Sequence, residues 1–380
     1  MTTVPESFSR TLLRSGIISL WSAILFLPFK GLQASALLFG VLFLSVLLLT
    51  FAGSWLSLRL TMPASLKERI RSSFPTDWRY LLLFLLPALA VPFVAQNYII
   101  DVAVLAGIYI ILALGLNVVV GYTGLLNLGF VAYYAIGAYS FALLNTKLGL
   151  GFWSAMPVAV VITTIAGFLF AVPALRLKGD YLALVTLGFG EIVRITLNNW
   201  DSFTNGPNGI GGISAPMLAG MSLETLSAYY YLVFFFVLVA IVVIGRVQRS
   251  KIGRAWIALR EDEIAASAMG IPSTAYKLYA VSFGAFWAGI AGCLFAAKMR
   301  FISPESFTFM ESVLVLCMVI LGGLGSIGGV IVGAVILVIL PEVLREVQMY
   351  RMLALGAGIV LLMIFRPQGL FGGSVVSSRH

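Results

Sequence analysis

Four ionisable side chains sit inside long apolar runs or at their ends: Asp101, Glu191, Arg194 and Glu311. An unpaired charge in hydrocarbon is costly, so such a residue marks either an ion or substrate path or a neutralised pair. Asp101 and Glu191 have the chemistry of a proton or cation site in an ion-coupled carrier. Glu191 and Arg194, three residues apart, share a helix face and can instead form a structural ion pair. Other chemistries lack their residues. Cys293 and Cys317 lie in apolar runs and His380 is the only histidine, so no zinc-ligand spacing and no disulfide framework exists. No G-x-x-x-x-G-K-[ST], H-E-x-x-H, C-x-x-C or G-x-S-x-G occurs, so neither a phosphate-cradling loop nor a hydrolytic centre is encoded.

The elements that must hold these charges are membrane helices. The chain has 380 residues, 61% hydrophobic and only 10% charged, with mean hydropathy +1.04. Soluble folds carry roughly 25% charged residues, and many of these runs exceed the roughly 18 residues that define a spanning helix. A transmembrane barrel would alternate apolar and polar residues, which this chain does not. The fold class is therefore all-α and polytopic, with about 10–12 transmembrane helices, Gly-broken half-helices included. The net charge of +9 lies between apolar runs without interleaved aromatics, as expected of loops on the positive side of a membrane rather than of a nucleic-acid surface.

About twelve apolar segments fall near residues 16–27, 34–58, 80–95, 98–120, 126–144, 153–175, 181–197, 229–245, 276–297, 312–321, 327–340 and 352–365. A basic linker with Arg59, Lys67, Arg69, Arg71 and Arg79 separates the first two segments from the rest. This divides the chain into an N-terminal extension (1–79), a main membrane body (80–373) and a short tail (374–380). The start lacks a small-residue cleavage site after its apolar run, so no cleaved signal peptide is expected. With the linker cytoplasmic, span parity places Arg176, Lys178, Arg246, Arg249, Lys251, Arg254 and Arg260 inside, the 198–227 loop outside and both termini inside. Lys298 and Arg300 fall outside, against the trend.

Two short motifs echo one another. Gly124-Leu125-Leu126-Asn127-Leu128-Gly129 and Gly323-Leu324-Gly325-Ser326-Ile327-Gly328 both read G-L-x-[NS]-[LI]-G, each between apolar helices. Paired Gly-interrupted segments point to a transport pathway or hinge, because irregular backbone at membrane depth is tolerated where it is buried or lines a cavity. Close helix packing is the plainer reading of the same glycines. The 312–340 region is either two half-helices or one broken span. Thr186, with Asn127 and the glycines, is a candidate for the polar lining of such a pathway. In the outer loop, Asn205, Pro207, Asn208 and Gly209 have turn composition.

The segment 246–272 is the second informative polar stretch. Trp256, Leu259, Glu263 and Ala266 recur at three- and four-residue steps, which predicts one helix over about 252–270, ended by Gly270 and Pro272. Arg254, Arg260, Glu261, Asp262 and Glu263 give it mixed charge, and Trp256 reads as an exposed aromatic of the kind that anchors an interface. A solvated linker is the alternative.

These residues carry a family resemblance. RLKGDYLALVTLGFGEIVRITLNN (176–199), TNGPNGIGGI (204–213), GYTGLLNLGFVAYYAIGAYSFALL (121–144), GRAWIALREDEIAASAMGI (253–271), GGLGSIGGVIVGA (322–334) and FRPQGLFG (365–372) together resemble the LivM-type permeases of bacterial branched-chain amino acid ABC transporters, over about 98–373. The resemblance implies a non-catalytic subunit of the bacterial inner membrane. Its expected partners are a LivH-like second permease, two ATPase subunits that hold the ATP and magnesium, and a periplasmic binding protein. This chain would bind no cofactor, and its 252–270 helix would couple it to the ATPases. The general importer motif E-A-A-x-x-x-G is departed from here, since Ile264 separates Glu263 from Ala265-Ala266. Permeases for urea and short-chain amides share much of the pattern, and an ion-coupled carrier using Asp101 and Glu191 is the rival of another class.

Overall fold

The computed structural model describes residues 91–92, 95–177, 179–218, 221–343 and 356. The expected segments at 16–27, 34–58 and 352–365, most of that at 80–95, the tail and the 365–372 motif lie outside the described residues. The rest falls in the compact unit Gln96–His380.

Long apolar runs become helices here because a helix satisfies its backbone groups internally, the main requirement in lipid. In chain order they are α1 (Asn97–Leu116), prolonged by a π-helical stretch Asn117–Tyr122, α2 (Val131–Leu148), α3 (Phe152–Ala174), α4 (Asp180–Asn199) and α5 (Leu226–Arg249). Two short helices follow, α6 (Lys251–Glu261) and α7 (Glu263–Ala268), then α8 (Ser273–Met299), α9 (Phe309–Gly322) and α10 (Ile327–Val343). The chain is thus an all-α polytopic membrane protein, and five of its described helical stretches are long and apolar enough to cross a bilayer. Strand pairing among the described residues amounts to two-residue bridges such as Ile210–Gly211 with Phe301–Ile302.

α8 is the centre of the bundle. Its apolar window is 83% buried against 39% for α3, and it packs on α1, α2 and α3. Small residues allow this, as expected where helices associate without a hydrophobic driving force. A side chain on Gly137 of α2 would meet the Gly289 backbone at 2.7 Å, and one on Gly115 of α1 would meet the Gly284 carbonyl at 3.1 Å.

The 312–340 region forms two helices. α9 and α10 pack on each other through Gly322 and Gly329, whose backbones leave no room for a β-carbon. Their 14 and 17 residues correspond to about 21 and 26 Å at 1.5 Å per residue. α10 is therefore shorter than the roughly 30 Å hydrocarbon core, whereas α9 together with the 3₁₀ turn ahead of it makes the 19-residue stretch Pro304–Gly322, one of the five counted above.

Candidate functional site

The 252–270 stretch is two helices, where the periodicity predicts one. Asp262 leaves the helical region (φ −156°, ψ 110°), and its Oδ1 accepts from the backbone N–H of Ile264 (2.8 Å) and Ala265 (3.0 Å), capping α7. A short acceptor side chain competes with the helix for these donors, so the helix restarts here. Ser250 caps α6 in the same way. The aromatic expectation is also corrected. Trp256 is only 1% exposed; its Nε1–H donates to the Tyr276 carbonyl (2.8 Å), and its ring packs near Phe283. α6 buries Gly253, Ala255, Trp256 and Leu259 on one face, so the indole anchors the helix to its own bundle. Exposed instead are Ile264 (79%) and Met269 (85%), flanked by Arg254, Glu261, Asp262 and Gly270, which are also exposed.

Beneath this helix pair the second echoed motif meets the turn that leads into the first, and Arg260 lies against a glycine of each. Both begin with glycine in the left-handed region, Gly124 at φ 70° and Gly323 at φ 108°. The Asn/Ser position does the same work in each. Asn127 Oδ1 accepts from Gly129 N–H (3.0 Å), and Ser326 Oγ accepts from Gly329 N–H (3.1 Å) at the start of α10. The second link is held to the last turn before the first, where Gly325 N–H donates to Asn117 Oδ1 (2.9 Å) and a β-carbon on Gly121 would lie 2.6 Å from the Gly325 nitrogen. Arg260 Nη1 reaches in from α6 to donate to the Gly121 carbonyl at 2.6 Å. Asn117 Nδ2 and the Tyr122 hydroxyl are buried there without a partner among the described residues, each at a cost of about 1–3 kcal/mol. Gly328 faces open space.

The first link also meets α4. Thr186 Oγ accepts from Leu128 N–H (3.1 Å) and donates to the Ala183 carbonyl (2.9 Å). Gly129 lies against the Thr186 carbonyl and Gly190 with no space for a side chain. Between this link, α3 and α4 lies a cavity of about 520 Å³, walled by Phe170, Leu175, Leu182, Val185 and Phe189, with Asn127 and Thr186 its few polar residues. The polar groups of those two are already engaged within the chain, so the cavity offers apolar wall and little else.

The family described as branched-chain amino acid transport system / permease component matches residues 98–365, the span that holds all of these elements. The chain belongs to that family. It is 50% identical to the high-affinity branched-chain amino acid transport system permease proteins LivM of Salmonella typhimurium and Escherichia coli, over 77% of this chain and 74% of each relative. It is also similar to LivH of Salmonella typhimurium, at 26% identity over 70% of this chain and 92% of that protein. No solved structure matches.

In this permease the charged residues singled out at the start are largely neutralised within the chain. Arg194 donates to Glu191 through Nη2 and, at 3.0 Å, through Nε, and its Nη1 lies 3.7 Å from Glu305. Asp101 pairs with Lys298 (2.9 Å), and Arg300 with Glu224 (3.3 Å). The two basic residues that break the charge trend along the sequence thus each face an acid. Glu311 accepts from the Tyr109 hydroxyl (2.7 Å), joining α9 to α1. The 205–209 turn is held locally: Asn205 adopts φ 63°, its Nδ2 donates to the Gly209 carbonyl (2.9 Å), and Pro207 and Asn208 lie in a 3₁₀ turn.

Two residues of the permease's junction went unread in the sequence. Asn117, 0% exposed, is an amide in an apolar run just ahead of the first Gly motif, which is itself the signal, since intramembrane polar residues are rarely idle. Lys277, in the second turn of α8, lies 2.6 Å from Glu263 of α7; a lysine at the edge of an apolar run reads as a boundary, which conceals the pairing.

Proposed function

We propose that this chain is the LivM-like permease subunit of an ABC importer that carries leucine, isoleucine and valine across the bacterial inner membrane, both termini cytoplasmic. It pairs with a LivH-like permease. It rests on two ATPase subunits that bind the ATP and magnesium, and receives substrate from a periplasmic binding protein; this chain is non-catalytic and holds no cofactor. The observation that carries the reading is the 50% identity, over 77% of the chain, to relatives named as high-affinity branched-chain amino acid permeases. The same names favour amino acids over urea or amides as cargo.

Mechanically, the α6–α7 pair is the part suited to an ATPase. Its exposed Ile264 and Met269 beside Glu261 and Asp262 form an apolar tip with charged flanks, the composition that docks into a partner's groove. Closure of the ATPases would push this pair and shift the spans bonded to it, opening the path in alternation to each side. Against the ion-coupled alternative, Asp101 and Glu191 are both committed to ion pairs with Lys298 and Arg194, which leaves neither poised to take up and release a cation.

The test is co-purification from the native membrane followed by leucine uptake in proteoliposomes. The expected result is a complex with a second permease and ATPases whose uptake ceases on ATP depletion and survives an uncoupler. Uptake by this chain alone, or uptake abolished by the uncoupler, would sink the reading.

A further inference from the structure

We infer that Arg260 is the transmission residue of the permease: its guanidinium fastens the α6–α7 pair to the point where the second Gly-broken link meets the turn leading into the first, so that movement of the pair resets both links together. This rests on the ATP-driven reading above. It departs from that reading at one point, since it takes Arg260 out of the ATPase contact and assigns it to the inside of the permease.

The geometry is specific. In the last turn before the first link, the Val119 and Val120 carbonyls accept from the backbone N–H of Leu125 (3.2 Å) and Gly124 (3.1 Å). The Gly121 carbonyl accepts from Arg260 Nη1 at 2.6 Å. A guanidinium suits this place, because helix C-termini present partly negative carbonyls. The second link is within reach of the same group. A side chain on Gly325 would lie 3.3 Å from Arg260 Nη1 and 3.5 Å from the Gly121 carbonyl, while Gly325 N–H is held by Asn117. Two other bonds that tie the pair down, Glu263 to Lys277 and Trp256 to the Tyr276 carbonyl, go to α8, and Arg254 Nη1 donates to the Arg249 carbonyl of α5. Arg260 bonds to the turn that leads into the first link.

A second observation makes the junction a switchable element rather than a fixed weld. Packed interiors satisfy nearly all buried polar groups, yet Asn117 Nδ2 and the Tyr122 hydroxyl are buried here without partners among the described residues. Both belong to a π-helical stretch, a geometry that recurs at functional sites. On this inference, displacement of Arg260 lets the junction settle into an arrangement in which those two groups find partners. Coupling through a two-state element biased from one end is the physical requirement for transmission.

The experiment uses the assembled complex with its second permease, ATPases and binding protein, and the variants Arg260→Gln and Arg260→Lys. Arg260→Gln should keep the ATPases at wild-type yield and hydrolyse ATP, while uptake falls at least about tenfold, the weight of one charge-assisted hydrogen bond. Arg260→Lys keeps the charge without the planar fork and should fall between. A cysteine placed at Leu324, 44% exposed, in a Cys317→Ser background, reports the second link. Its maleimide labelling rate should change on ATP binding in the otherwise unaltered complex and lose that response in Arg260→Gln. Loss of the ATPases from Arg260→Gln, wild-type uptake, or a retained labelling response would overturn the inference. If Arg260→Gln fails to insert, Arg260→Lys decides alone: unchanged uptake or lost ATPases would overturn it. The labelling needs no cargo, so the inference can be judged even if leucine uptake by the unaltered complex fails and the transport reading falls.

Discussion

Lys277 Nζ lies 2.6 Å from Glu263 Oε1, joining α7 to the second turn of α8, with the lysine side chain 10% and the glutamate 30% exposed. The most enclosed helix of the bundle is thereby bonded to the short helix that carries the exposed apolar tip. Force applied at Ile264 or Met269 has a direct route into α8, because a mostly buried pair is screened far less than a surface one.

Breaking this pair should be felt in both stability and coupling. Lys277→Met takes the Lys277 cation away from the partly buried Glu263 and should cost about 1–2 kcal/mol, discounted from the fully buried case for the remaining solvent access. The check is the thermal unfolding midpoint of the detergent-solubilised complex. The exchanged pair Glu263→Lys with Lys277→Glu should recover most of the loss; no recovery would mean that the pairing is incidental.

Trp256 is a packing residue, and its substitutions should grade accordingly. Trp256→Ala opens a cavity and should destabilise by about 3–5 kcal/mol, seen as lost yield in the membrane. Trp256→Phe keeps most of the apolar contact and gives up the bond to the Tyr276 carbonyl, at about 1 kcal/mol. An indole acting as an ATPase anchor would show the reverse, normal yield with lost ATPase binding.

The ATPase contact is expected at the tip instead. Ile264→Ser with Met269→Ser alters side chains that are 79% and 85% exposed, so the permease should insert and melt normally, within about 0.5 kcal/mol. ATPase subunits should then be lost on purification. Full retention would move the docking face elsewhere on the pair.

Gly129 and Gly188 offer a paired comparison on α4 and its neighbour. A β-carbon at Gly129 would overlap the Thr186 carbonyl, whereas Gly188 has open space around it. Gly129→Ala should cost about 1–3 kcal/mol by forcing link and helix apart, and Gly188→Ala should leave this chain's stability unchanged. Equal effects on the melting of the isolated permease would contradict the packing described.

Much of this architecture was readable along the chain. The segment ends at 98–120, 153–175, 181–197 and 276–297 fall within a few residues of α1, α3, α4 and α8, because apolar run length is a local property and lipid leaves the backbone little choice but helix. The echo of Gly124-to-Gly129 in Gly323-to-Gly328 was equally plain, since glycine marks broken helix wherever it falls. Three things came only with the tertiary structure. Trp256 has the same spacing whether its helix face meets a partner or its own bundle, and only the packing of α6 against α8 decides between them. The break at Asp262 was hidden because mixed charge continues the helical period on both sides of it, and a capping bond depends on backbone angles that periodicity does not report. The meeting of Asn117, Gly121, Arg260 and Gly325 joins residues more than 200 positions apart in the case of Asn117 and Gly325. No local pattern encodes that distance; it follows from α1 and α9 packing so that both links reach the end of the bundle where α6 lies.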